Sequence, residues 1–212
     1  MDTAKYVRTQ HAWCCSRSEA LRNGAVARVE QCSEWLADAG LAMGNVLVVG
    51  PRWGDEMKTL QCLGVKELCG VEVVPQFAAE CREAGFNCLE RDAESMGDVV
   101  NGKWNVYASH SLEHCHDIAA AAASIAKVCD QWCYIALPIE FGGTKNPAHA
   151  SAVRSFSDLL QHFPGWTEVE RYWKESKEKP QGDFRVLLTP PPDNLRAMRS
   201  QAKCGSFPER EK

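Results

Sequence analysis

Two glycines, two acids and three histidines in one stretch of the chain carry the chemistry. Gly50 closes an apolar run, and Gly54 opens a helical pattern across Pro51, Arg52 and Trp53. Glycine at such a corner lets a ligand approach the backbone. Glu72 ends the next apolar run, where a carboxylate can accept both hydroxyls of a ribose. Asp92 and Ala93 follow a third run. The Asp92 carboxylate can receive an adenine amino group, or it can cap the turn that begins near Glu94; both readings stay open. Together these residues spell a nucleoside site.

Further along stands Ser109-His110-Ser111-Leu112-Glu113-His114-Cys115-His116. Imidazoles move protons near neutral pH, so His114 is a candidate base, with a loop-steadying role as its alternative. His149 is a second candidate, on a longer loop that also reads as plain surface. No metal is expected. His110 and His114 would share a face only on a helix, and this segment begins at a strand end. Nor does the chain contain a Cys-x-x-Cys pair.

These residues need elements to position them. Leu21, Ala25, Val29, Cys32 and Leu36 recur at helical spacing between Ser16 and Ala39, and Gly40 and Gly44 stop the pattern. From there short apolar runs alternate with amphipathic stretches. Strands are expected over Asn45–Gly50, Lys66–Val74, Phe86–Ala93, Trp104–His110 and Gln131–Pro138. Helices are expected over Gly54–Gly64, Pro75–Gly85 and Asp117–Val128. Such alternation specifies a Rossmann-like, doubly wound α/β fold: a mostly parallel sheet with helices on both faces. A loop from Glu140 to Ser151 then leads to a helix over Ser155–Phe163, capped by Ser155 or Ser157. Trp166–Trp173 and Asp183–Thr189 alternate as an antiparallel C-terminal edge pair. The expected division is a helical segment at 1–44 packed on the core, a ligand-binding domain at 45–190, and a loose polar tail at 191–212.

Composition narrows the classes. The 212 residues suit one domain, and 45% hydrophobic against 25% charged is ordinary globular usage. A net charge of -4 gives no electrostatic footprint for a phosphate backbone, so nucleic acid is not the expected partner. The 11 cysteines are an odd number, and Cys62, Cys69, Cys88, Cys129 and Cys133 fall in apolar segments, as reduced thiols do. A reducing, cytoplasmic setting is expected, with no membrane span. The sequence does not indicate an oligomeric state.

The order of glycine loop, Glu72, Asp92, then a strand followed by Ser-x-Ser-Leu-Glu-His resembles class I S-adenosylmethionine-dependent methyltransferases. The branch most similar is the broad small-molecule group called methyltransferase type 11. The likeness covers Asn45 to Pro138 and extends more weakly over His149 to Trp166. It implies S-adenosylmethionine as cofactor. The amino-acid part would sit at Gly50, Pro51, Arg52 and Gly54, with Arg52 near its carboxylate. The ribose would sit at Glu72 and Val73, and the adenine at Asp92 and Ala93. Ser109, His110, Ser111 and Glu113 would border cofactor and acceptor. The implied acceptor is a small metabolite, sugar or lipid headgroup. Gly-Pro-Arg-Trp-Gly replaces the family's glycine-rich loop. Two alternatives use the same residues: a nicotinamide-dependent oxidoreductase, and a non-catalytic nucleoside-binding or scaffold protein with a degenerate pocket.

Overall fold

A computed structural model describes residues 18–140, 149–151, 153–175 and 181–192. The polar tail expected beyond 191 lies almost wholly outside these residues, as does most of the loop before His149.

Helix α1 spans Ser18–Asp38. Strand β1 (Val46–Val49), α2 (Asp55–Cys62), β2 (Leu68–Glu72), α3 (Pro75–Glu83) and β3 (Asn87–Glu90) follow in strict alternation. Then come β4 (Trp104–Ser109), α4 (Ile118–Val128), β5 (Cys129–Glu140), α5 (Phe156–Leu160), β6 (Thr167–Glu175) and β7 (Gln181–Thr189). Single tight turns at Met96–Asp98 and Leu112–His114 flank β4.

The seven strands form one sheet in the order β3-β2-β1-β4-β5-β7-β6. The first five are parallel, and β7 runs antiparallel to both β5 and β6. The expected edge pair therefore exists, with the later strand inserted between the sheet and β6. Strand β5 runs longer than the sequence suggests, because β4 pairs with its start at Cys129 and β7 with its end through Glu140.

Period-two alternation in β1 explains why both faces are covered. Val46 and Val48 point to one core with Val29, Cys32 and Leu36 of α1, Met57 and Leu60 of α2, and Cys81 of α3. Leu47 and Val49 point to the other, with Ile118, Ala121, Ala122 and Ile125 of α4 and Leu159 of α5. A strand buried on both sides reads as a continuous apolar run for this reason. The N-terminal helix thus contributes Val29, Cys32 and Leu36 to the core. Asp117 caps α4 by accepting the N–H of Ala120 at 3.0 Å. Ser155 caps α5 by accepting the N–H of Asp158 at 3.1 Å.

Seven of the cysteines are buried free thiols, and burial pushes Cys69 up to about 11. Cys62 departs from the expectation: it lies exposed, at the end of α2. No helix among the described residues is long and apolar enough to cross a membrane.

Candidate functional site

Strands β1 and β4 are neighbours, yet the chain leaves them toward opposite edges of the sheet. A crevice opens beyond the carboxyl ends of strands at such a reversal. The cleft found there is lined by Val49, Gly50 and Arg52 after β1, Glu72 and Val73 after β2, Asp92 and Ala93 after β3, and His110, Ser111 and His114 after β4. Four separate loops thus bring together residues that the sequence picks out one by one.

Glu72 is the anchor. It is 4% exposed and accepts two backbone bonds, from Arg52 N–H to Oε2 at 3.0 Å and from Val74 N–H to Oε1 at 2.9 Å. Each carboxylate oxygen has a second lone pair; the Val73 N–H also faces the carboxylate, and acceptor capacity remains beyond these donors. Burial pushes its carboxyl above the usual range, against the pull of the Val74 and Arg52 N–H groups.

The corner after β1 is tight. Gly50 has φ 72°, and a Cβ on it would stand 3.0 Å from the Cβ of Ser111. Gly54 has φ 83°, with Phe86 and Cys81 crowding its missing side chain. Trp53 does not fill the cleft: its ring meets Phe77 edge-on at 5.3 Å. Arg52 is buried, and its Nη2 donates to the His110 carbonyl at 3.3 Å. The bulk that departs from a glycine-rich loop is folded into the walls.

Ser111 lines the cleft, and its buried hydroxyl has no hydrogen-bond partner. Such a group needs a reason in a native fold. Asp92 serves the cap reading, since its Oδ1 accepts the Ser95 N–H at 2.7 Å, while it also borders the cleft.

Five of the expected site residues stand apart from the lining. Pro51 packs beneath the loop, where a Cβ on Gly70 would meet its ring at 2.9 Å. Gly54 donates its N–H to the Pro51 carbonyl at 2.8 Å and shapes the corner. Ser109 is buried under α1, where Arg28 Nε donates to its Oγ at 2.7 Å. Glu113 and His149 form a second layer behind His110 and His114. Glu113 is 2% exposed, with Oε1 3.2 Å from His110 Nδ1 and 3.9 Å from His114 Nε2. Burial alone would raise its carboxyl; the bond from His110 and the charges of His114, His110 and His149 outweigh that and hold it at about 2. The His114 and His149 rings meet edge-on at 5.1 Å.

Sequence reasoning missed Phe77, Arg91 and Glu94, which also line the cleft. Glu94 Oε1 accepts the N–H of His116 at 2.6 Å and of Asp117 at 3.1 Å, tying the β3 loop to the β4 loop. No local pattern marks it, because its partners come from a different crossover. Arg28 was likewise invisible, being one charge on a helix full of them.

This architecture is the class I S-adenosylmethionine-dependent methyltransferase fold. A methyltransferase of Clostridium acetobutylicum described as S-adenosylmethionine-dependent is similar over 87% of this chain and 100% of its own, with TM-score 0.66 and 8% identity. Magnesium protoporphyrin IX methyltransferase from Synechocystis, with bound S-adenosylmethionine, is similar over 80% of this chain and 81% of its own, with TM-score 0.61 and 13% identity. The N-methyltransferase NodS from Bradyrhizobium japonicum, bound to S-adenosylhomocysteine, matches over 78% and 87%, with TM-score 0.62 and 15% identity. No protein-family model matches the sequence, and no curated protein does.

Proposed function

We propose that this protein is an S-adenosylmethionine-dependent methyltransferase acting on a small molecule. The observation that carries the reading is the convergence of Glu72, Asp92 and Ser111 on one cleft beyond β2, β3 and β4. Their chemistry fits the parts of the cofactor. Glu72 retains acceptor capacity for ribose hydroxyls, and Asp92 retains an oxygen for an adenine amino group. Ser111 offers an unpaired hydroxyl where Gly50 leaves no room for a side chain. Val49, Val71, Val74 and Phe77 supply the apolar walls that a purine needs.

When bound, the cofactor supplies an electrophilic methyl carbon. The protein then has to hold nucleophile, carbon and sulfur in line and keep water out. Arg52 fixes the loop through Glu72 and His110, and it lines the cleft where the cofactor's carboxylate would lie. His114 faces the cleft, and His149 backs it. Together they are placed to take the proton that a hydroxyl, amine or thiol acceptor must lose.

Calorimetry on the full chain tests the reading. S-adenosylmethionine and S-adenosylhomocysteine should bind, while NAD should not. NAD binding with no S-adenosylmethionine binding would favour the oxidoreductase. No binding of any of the three would favour a scaffold. Transfer of labelled methyl to a panel of small hydroxyl, amine and thiol compounds then finds the acceptor.

A further inference from the structure

We infer that Glu113, His114 and His149 form a binding site for one divalent transition-metal ion of the zinc, cobalt or nickel type, opening on the cleft. One ligand atom from each lies within 4.8 Å of the others. An ideal tetrahedral ion with bonds of 2.0–2.1 Å needs about 3.4 Å between ligands. The three side chains would rotate toward one another to hold it. Two imidazoles and one carboxylate are a donor set suited to these ions, and three protein ligands leave a coordination position open.

Independent features support the site. Glu113 is almost fully buried, yet its Oε2 has no hydrogen-bond partner. A buried carboxylate oxygen left so is costly, and the oxygen beside it stands 3.9 Å from His114 Nε2. Its other oxygen, Oε1, is steadied by His110 Nδ1 at 3.2 Å, as outer partners of metal-bound carboxylates are. The third ligand is fixed by the backbone as well. Ser151 N–H donates to the Glu113 carbonyl at 3.1 Å, and Ser151 Oγ donates to the Cys115 carbonyl at 2.6 Å. The segment carrying His149 is therefore tied to the turn that carries Glu113 and His114. No sequence spacing could reveal this, because the third ligand arrives from beyond β5. The expectation of no metal weighed the histidines of one segment and the cysteine spacings, and did not pair His114 with His149.

The position of the site gives it a role, which rests on the methyl-transfer reading. Of the three ligands His114 borders the cleft, so an acceptor would reach the ion's open position past that ring. An acceptor hydroxyl or thiol bound there would lose its proton to solvent. Its lone pair would form the new bond to the methyl carbon, and the carbon–sulfur bond would break with its electron pair left on sulfur. The ion takes over the work assigned above to His114 and His149.

The metal alone tests the site, without turnover. Chelator-stripped full-length protein is titrated with Co2+ and watched for the intense visible bands of a four- or five-coordinate ion. One equivalent should saturate the wild type, and Zn2+ should bleach the bands. His149→Ala and Glu113→Gln should each weaken Co2+ binding by at least about tenfold. His162→Ala, in the turn after α5, should match the wild type. Absent bands in the wild type, or equal affinity in His149→Ala, overturns the site. Should Glu113→Gln fail to fold, His149→Ala carries the test alone. Calorimetry of S-adenosylmethionine on the same metal-free protein separates the two readings. A cofactor that does not bind there sinks methyl transfer and leaves the metal result standing.

Discussion

Arg52 and His110 are the two residues other than glycine with positive φ among those described, at 49° and 50°, and a bond from Arg52 Nη2 to the His110 carbonyl at 3.3 Å joins them. A side chain in that region costs of order 1–3 kcal/mol unless its surroundings hold it there. Here each strained corner holds the other. The corner after β1 and the corner after β4 thus act as one unit, with Glu72 gripping the first through the Arg52 N–H. The cleft between them is preorganised by contacts that reach across the sheet.

That unit makes Glu72 sensitive to substitution in two ways. Glu72→Ala should weaken S-adenosylmethionine binding by about 1–3 kcal/mol through lost charge-assisted bonds. Burial raises the Glu72 carboxyl, so wild-type affinity should climb as pH rises above the ordinary carboxylate range and the acceptor form fills. Calorimetry of Glu72→Gln across the same pH range should show a flat profile. An unchanged affinity in Glu72→Ala would remove the residue from the site.

Ser111→Ala should cost about 0.5–1.5 kcal/mol of cofactor affinity and little stability, because the hydroxyl has no internal partner to lose. A fall in Tm with no change in affinity would assign the hydroxyl a structural duty.

Gly50→Ala should destabilise the fold by about 1–2 kcal/mol, since alanine resists φ 72° and its Cβ presses on Ser111. Urea denaturation measures this. Binding of S-adenosylmethionine should fall as well, because the Cβ occupies the approach to the cleft.

Glu56 predicts a pH trend in stability. Burial raises its carboxyl despite the nearby Arg52 and Arg28 charges, and its Oε1 has no partner. A raised value means that the folded chain keeps the proton where the unfolded chain has released it. Stability from this group is therefore full at low pH and is lost as pH climbs from the ordinary carboxylate value through the raised one. Denaturation midpoints of Glu56→Gln over that window should decline less than those of the wild type. Parallel curves would show that other groups set the trend.

His149→Ala should lower turnover more than cofactor affinity, because His149 sits behind His114 and away from the cleft lining. Equal turnover in the two proteins would reduce it to a packing residue.

The sequence by itself determined the sheet and its ligand end. Val46–Val49 reads as a strand buried on both faces because every residue in it is apolar. Gly50, Glu72 and Asp92 announce the cleft because each stands at or just past the end of a strand. Pro75 and Asp117 mark helix starts through local backbone chemistry. These signals act over a few residues, so one chain suffices to read them. Only the tertiary structure decided that β7 enters between β5 and β6, that Arg28 reaches Ser109, that Arg52 turns inward, and that His149 meets Glu113 and His114. Each of these is a meeting of distant segments, set by how packed layers close. Periodicity carries no record of which side chains will face each other once they do.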